Sequence, residues 1–302
     1  MLEGKVAIVT GAGRGIGRAV ALLMAAKGAS VIVNDLGAAT DGTGQDTSPA
    51  EEVVAEIKKA GGQAQANTGS VTSTEGCNAM VQNARDAFGR LDIVVNNAGI
   101  LRDHMFHKMA PEDWQAVFDV HVGGHFNLSR AAINVFREQN YGRIVNFTST
   151  SGLIGNVGQT NYGAAKLAIV GLTRILALET QRHDITVNAV SPFAWTRMTS
   201  SIPVTDEASA ARVEKIKRLK PENVAPLVIF LASAGAAGIN GQVVGARAGE
   251  MMIFSMPQPL RSVHQKGGWT PEEIGETVMP ALRPFFQPLK VSADFFPYDP
   301  LD

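Results

Sequence analysis

Cysteine is almost missing from this chain of 302 residues: Cys77 stands alone, so no disulfide can form within it. That usage fits a reducing compartment, and a cytoplasmic location is expected. Cys77 also lacks a surrounding histidine-bearing motif and is not read as a nucleophile. Excess charge is missing too. The 27 Lys and Arg residues against 28 Asp and Glu leave a formal net charge of −1, which argues against nucleic acid or an anionic membrane as the main partner. No apolar run approaches the roughly 20 residues that a bilayer crossing needs. No secretory leader is recognisable, since Met1 to Thr10 runs straight into a structured pattern. What is present, 45% apolar and 18% charged residues, is ordinary for a globular protein with a substantial core. One doubly wound α/β domain can absorb most of this length.

Short apolar runs alternate with stretches of helical spacing along the chain. Strands are expected at 5–10, 30–34, 63–67, 91–96, 141–148, 185–190 and 242–246. Helices are expected at 15–28, 51–60, 75–88, 112–137, 161–179 and 221–233. This alternation implies βαβ units and a parallel sheet covered on both faces, and right-handed crossovers make a Rossmann arrangement the simplest topology. Two segments break the rhythm. Leu36–Ser48, rich in Gly, Asp and Thr, reads as an exposed loop. After Gly249 the chain holds eight of its 14 prolines and is expected to wrap over the domain or a neighbouring subunit. The expected division is therefore a Rossmann domain over 1–249, with a lid at about 193–220, and an extension over 250–302.

TGAGRGIG at Thr10–Gly17 follows a strand and opens a helix. Gly11 permits the tight turn, and Gly15 and Gly17 let the backbone approach a pyrophosphate at the helix N-terminus. Arg14 and Ile16 belong to the same loop. Asp35 directly follows the second strand, where a carboxylate reaches a ribose 2′-hydroxyl and repels a 2′-phosphate, so NAD is expected over NADP. Arg14 is the dissenting charge, read as a solvated arginine near the adenine side.

NYGAAK places Tyr162 and Lys166 at i and i+4, on one helical face. A phenol ionises near pH ~10, too high for a base at neutral pH. An adjacent ammonium, helped by an oxidised nicotinamide, is expected to lower that value. Ser149, at the end of a strand, can hydrogen-bond a carbonyl or alkoxide oxygen while Tyr162 takes the hydroxyl proton. In VFDVHVGGHF, His121 and His125 share a helix face, a spacing open to metal ligands, packed histidines or another chemistry.

Taken together, TGAGRGIG, NNAG at Asn96–Gly99, Ser149, Tyr162 with Lys166, and Ser191-Pro192 followed by Thr196 resemble the short-chain dehydrogenase/reductase family over about residues 1–250. The resemblance implies that NNAG supports the sheet beside the cofactor, with Asn97, Ala98 and Gly99 at the cleft. It implies Thr196 near the nicotinamide amide and Ser70-Val71 near adenine, although Ser70 stands where an acidic residue is common. Tyr162 and Lys166 would touch the cofactor as well as act in catalysis. NDLG with its glycine-rich insertion, NNAGILRD, VHVGGHF, GNVGQTNY and TRMT are similar to one branch, the (3R)-hydroxyacyl-CoA dehydrogenase part of peroxisomal multifunctional enzyme type 2 and its single-domain bacterial relatives.

Most of the family carries asparagine at the His121 position, where it holds a water in a proton relay from the lysine. This branch tends to carry histidine, so His121 is expected in that polar catalytic role and His125 as a packed or interface residue. No third ligand of proper spacing accompanies them and the family needs no metal, so none is expected. The implied activity is NAD-dependent interconversion of a secondary alcohol and a ketone on a (3R)-hydroxyacyl-CoA, with a free hydroxysteroid or cyclic alcohol as an alternative and a non-catalytic cofactor-binding scaffold as a rival of another class. In the lid, Trp195, Met198 and Ile202 offer apolar contact. Arg212, Lys215, Lys217, Arg218 and Lys220, and Arg102 and Lys108 elsewhere, read either as steering coenzyme A phosphates or as solvated surface. A homodimer or homotetramer through the long helices is implied.

Overall fold

A computed structural model of the chain describes residues 1–199, 206–296 and 300. Seven strands are parallel: β1 (Val6–Thr10), β2 (Ser30–Asn34), β3 (Gln63–Asn67), β4 (Ile93–Asn96), β5 (Gly142–Phe147), β6 (Ile185–Phe193) and β7 (Val243–Arg247). The order across the sheet is 3-2-1-4-5-6-7, and β8 (Glu250–Ile253) adds antiparallel to β7. This is the expected Rossmann arrangement. The order reverses between β1 and β4, which opens the crevice where an α/β sheet binds ligands.

Both faces are covered because the strands bury both sides, as parallel strands with crossover helices must. Along β1, Ala7 and Val9 point to one layer and Val6 and Ile8 to the other. The first layer packs α1 (Gly15–Ala26), α2 (Ser48–Lys59) and α9 (Ala225–Leu231) through Val20, Met24, Val53, Ile57 and Val228. The second packs α3 (Thr74–Phe88), α5 (Gly124–Gln139) and α7 (Thr160–Glu179) through Met80, Leu128, Phe136 and Ala177. Local chemistry sets the helix ends. The Ser73 hydroxyl accepts from the Gly76 N–H at the start of α3, and Gly89 closes it with φ 79°.

Three elements differ from the sequence reading. The helix expected over 112–137 is α4 (Pro111–Phe118), a π-turn over Asp119–Gly123, and α5, so one widened turn falls on His121. β6 runs on to Phe193, because Ser191 and Pro192 continue to pair with β7. The strand β8 lies in the segment read as extension; Met252 and Phe254 pack over Gly245, where an added Cβ would meet them at 2.6 and 3.0 Å. Within the segment expected to form a lid, α8 spans Glu207–Lys217, and Ile202 lies outside the described residues.

Candidate active site

The turn after β1 is built by glycines. Gly11 and Gly15 hold φ of 62° and 53°, conformations that a side chain disfavours. A Cβ on Gly17 would stand 2.1 Å from the Gly11 carbonyl oxygen, so only glycine lets α1 start this close to the loop. Asn97 staples the same turn to β4. Its Nδ2 donates to the Thr10 and Gly11 carbonyls at 2.9 and 3.1 Å, and the Thr10 hydroxyl accepts from the Asn97 and Ala98 N–H groups. Asp35 leaves β2 with Oδ2 accepting from the Gly13 N–H at 2.8 Å and Oδ1 from the Gly37 N–H at 2.7 Å, which fixes the carboxylate at the rim of the turn.

These pieces border a cleft of about 230 Å³. Of the sequence-predicted cofactor residues, Gly11, Arg14, Gly15, Ile16, Asp35, Ser70, Val71, Asn97, Ala98, Gly99 and Thr196 line it. Gly17 sits behind the turn, and Tyr162, Lys166 and Ser149 stand outside the lining. The sequence reading missed Leu36, Ala38, Ala39, Thr40 and Gly42, which also line it. The loop expected to be exposed is so only over part of its length. The Leu101 N–H donates to the Thr40 carbonyl, and Arg102 Nε donates to the Asp41 carbonyl at 2.9 Å, drawing the loop over the cleft. Arg14 stands 3.9 Å from Asp46 of that loop. The glycine cradle, the fixed carboxylate and the cleft fit a nicotinamide dinucleotide.

Beyond the C-terminal end of β5, Ser149 caps the short helix α6 (Thr150–Leu153). Tyr162 and Lys166 rise one turn apart on α7, with Lys166 Nζ 5.5 Å from the Tyr162 ring centroid. Asn161 sets the start of that helix: its Nδ2 donates to the Arg102 carbonyl at 2.8 Å, and its Oδ1 accepts from the Tyr162 N–H at 2.7 Å. Lys166 is buried and donates to the Phe147 carbonyl at 2.8 Å, and burial lowers its pKa to about 7. Desolvation likewise pushes Tyr162 up to about 12; its hydrogen bond with Ser149 works the other way, and the charge of Asp103 adds to the rise. The expected lowering of the Tyr162 value by Lys166 includes the charge of an oxidised nicotinamide; among the chain's own groups, burial of the phenol prevails.

His121 is fully buried. Its Nε2 lies against the Ile100 backbone, 3.2 Å from the N–H and 2.9 Å from the carbonyl oxygen, and its ring meets the Tyr162 ring edge-on at 5.2 Å. Burial first, and then Lys166, push its pKa well below 6.5, so the imidazole is neutral. Nδ1 is buried without a hydrogen-bond partner among the described residues. His125 is buried as well, with its pKa lowered to about 3, first by desolvation. Among the described residues no group of three His, Cys, Asp or Glu side chains gathers as metal ligands would.

Several charged candidates are otherwise engaged. Arg102 pairs with Asp113 at 3.3 Å, and Lys217 lies 6.0 Å over the Trp195 ring beside Glu214. Lys108, Lys215, Arg218 and Lys220 are exposed. The side chain of Arg212 falls outside the described residues. No helix among the described residues is long and apolar enough to cross a membrane.

A sheet reversing at a glycine turn, with serine, tyrosine and lysine gathered past β5, is the architecture of a dinucleotide-binding α/β fold. A family model described as short chain dehydrogenase matches residues 5–207, and the chain belongs to that family as an oxidoreductase. Peroxisomal multifunctional enzyme type 2 of Mus musculus is 49% identical over 274 residues, which are 90% of this chain and 36% of that protein; the chain thus spans about a third of that relative. Hydroxyacyl-CoA dehydrogenase ChsB1 of Mycobacterium tuberculosis is 40% identical over 294 residues, covering 94% of this chain and 89% of its own length. Among solved structures, a 7α-hydroxysteroid dehydrogenase complexed with NADH and 7-oxo glycochenodeoxycholic acid is 32% identical with a TM-score of 0.74, covering 82% of this chain and 94% of that one.

Proposed function

We propose that this oxidoreductase uses NAD to interconvert a secondary alcohol and a ketone, with a (3R)-hydroxyacyl-CoA as substrate. The observation that carries the reading is the convergence of Ser149, Tyr162 and Lys166 past β5, next to a cleft shaped by the glycine turn. In this reading Gly11, Arg14, Gly15, Ile16, Gly17 and Asp35 hold the adenosine and pyrophosphate, Ser70 and Val71 flank adenine, and Asn97–Gly99 and Thr196 border the nicotinamide. The bound dinucleotide supplies the hydride acceptor. Ser149 donates a hydrogen bond to the substrate oxygen, and Tyr162 takes its proton in oxidation or returns it in reduction. Lys166 supplies positive charge behind the phenol when protonated, and His121 offers a neutral imidazole edge to the same centre.

Two observations favour NAD over NADP. The Asp35 carboxylate, held at the rim of the turn by the Gly13 and Gly37 N–H groups, would in this reading repel a 2′-phosphate, and Asp46 lies 3.9 Å from Arg14, the residue that would otherwise offset such a phosphate. The similarity to ChsB1 and to the multifunctional enzyme supports the thioester, while the hydroxysteroid dehydrogenase supports a second reading with a free steroid alcohol. Assembly as a homodimer or homotetramer and a cytoplasmic, reducing setting complete the proposal, the latter resting on the single buried Cys77.

The test is NADH formation by the purified chain on (3R)- and (3S)-hydroxyacyl-CoA thioesters, including one with a steroid side chain. Turnover confined to the R series is expected. Turnover of free steroid or cyclic alcohols alone replaces the thioester, comparable efficiency with NADP removes the NAD assignment, and tight NAD binding without any turnover favours a scaffold.

A further inference from the structure

Sequence leaves Arg102 as a steering charge for coenzyme A phosphates or as solvated surface, yet only 26% of its side chain is exposed and two of its nitrogens are committed. Nε donates to the Asp41 carbonyl at 2.9 Å, and Nη1 donates to Asp113 of α4 at 3.3 Å. The backbone carbonyl of Arg102 accepts from Asn161 Nδ2 at 2.8 Å, and Asn161 Oδ1 accepts from the Tyr162 N–H. We infer that Arg102 is a positioning residue that couples the loop over the cleft to the placement of the Tyr162 phenol. Its side chain clasps the loop Leu36–Ser48, and its backbone sets the start of the helix that carries Tyr162. The inference rests on the proposed roles of the cleft and of Tyr162.

The loop needs such a clasp because it has little of its own to hold it down. Gly37, Gly42 and Gly44 all sit at positive φ, and glycines lose more backbone freedom on ordering than other residues do. The bonds within the loop, from the Asp46 N–H to the Leu36 carbonyl and from the Ala39 N–H to the Thr43 carbonyl, shape it without attaching it to the domain. Its tip is attached by the Leu101 N–H on the Thr40 carbonyl and by Arg102 on Asp41. Gly42 also packs against Ile100, where an added Cβ would meet the side chain at 3.2 Å. All three contacts come from Ile100, Leu101 and Arg102.

The same short segment also grips the elements that carry the reacting groups. Ile100 holds His121 Nε2 through its N–H and its carbonyl. Asn161 is fully buried and donates to the Arg102 and Asp113 carbonyls at 2.8 and 3.4 Å, so α4 and the first turn of α7 close on the segment together. The guanidinium makes a rigid joint, because its planar fork fixes the angle between the Asp41 and Asp113 bonds. A lysine ammonium is a single point and reaches only one of them. Stabilisation of the closed loop by a cofactor is therefore passed through this segment to Asn161, and the coupling works equally in reverse.

The test compares the full chain with Arg102→Met, which keeps the apolar stem, and Arg102→Lys, which keeps the charge. NADH release is followed by stopped-flow fluorescence, and the KM for a (3R)-hydroxyacyl-CoA by steady-state rates at saturating NAD. Amide exchange is read by mass spectrometry on peptides covering 36–48 and 159–166. Thermal midpoints report folding, and Arg102→Lys alone decides the outcome if Arg102→Met does not fold. Both variants are expected to release NADH about ten-fold faster, the order of a lost hydrogen bond to a charged group, with the acyl-CoA KM within about two-fold. In wild type NADH should slow exchange in both peptides, and in the variants the slowing of 159–166 should be lost. Wild-type behaviour of Arg102→Lys overturns the inference. So does a raised acyl-CoA KM with unchanged NADH release, which returns Arg102 to steering coenzyme A, and so does faster release with full protection of 159–166. If wild type binds no NADH, the proposed function fails, and exchange without ligand still decides the inference: faster exchange of 159–166 in the variants supports it, and equal rates overturn it.

Discussion

At the scale of single residues, burial sets the chemistry more than the nearest charge does. Tyr162 and Lys166 are adjacent on one helix face, yet desolvation moves their pKa values in opposite directions, to about 12 and about 7, so each is held toward its neutral form. His121 completes the neutral cluster. Replacing it by leucine fills the volume but removes the ring nitrogens, and kcat should fall about ten-fold or more with NADH affinity within about two-fold. His121→Asn should recover part of the loss, since an amide can also hold a water. Stopped-flow turnover and fluorescence titration of NADH check this. An unchanged kcat in His121→Leu would assign the residue to packing alone.

At the scale of elements, close backbone approach places the site. The turn after β1, the start of α1 and the Asn97 segment pack so tightly that a methyl group on Gly17 has no room against the Gly11 carbonyl. Gly17→Ala must push α1 away from the loop. It should cost about 2 kcal/mol or more of stability, in the range of overpacked cores, and weaken NADH binding at least ten-fold. Thermal denaturation with a cofactor titration measures both, and a variant with wild-type values would show that the helix start moves freely. The π-turn at His121 belongs to this scale as well. It widens the helix where the imidazole meets Ile100 and Tyr162. Helical periodicity over 112–137 was legible in the sequence, but one added residue in a turn leaves that period nearly unchanged.

At the scale of the whole molecule, two buried neutral histidines link stability to pH. The folded pKa of His125 is depressed to about 3 from 6.5, and that of His121 is also lowered. Between those values the unfolded chain binds more protons than the folded one, so stability rises with pH. The contribution is fully present above about pH 6.5 and is lost as pH falls toward about 3. His125 alone should contribute a slope of about 1.4 kcal/mol per pH unit over most of that window. Urea unfolding at a series of pH values should show His125→Gln with a shallower acid decline than wild type. Equal slopes would mean that the histidine finds a proton in the folded state.

Much of this protein was determined by sequence alone. Alternating apolar runs named the seven parallel strands, because both faces of such a sheet must be buried and short strands leave a dense apolar signal. The glycine turn, Asp35, Ser149, Tyr162 and Lys166 were legible because each is a residue type that its position demands at fixed spacing. Tertiary structure decided what depends on contacts between distant segments. It carried the loop at Leu36–Ser48 over the cleft through Leu101 and Arg102, set β8 beside β7, and tied Asp103 to Ser149 through Gln159 and Ser151. It also set the burial of Tyr162, since desolvation is a property of everything packed around a group and no local pattern of residues records it.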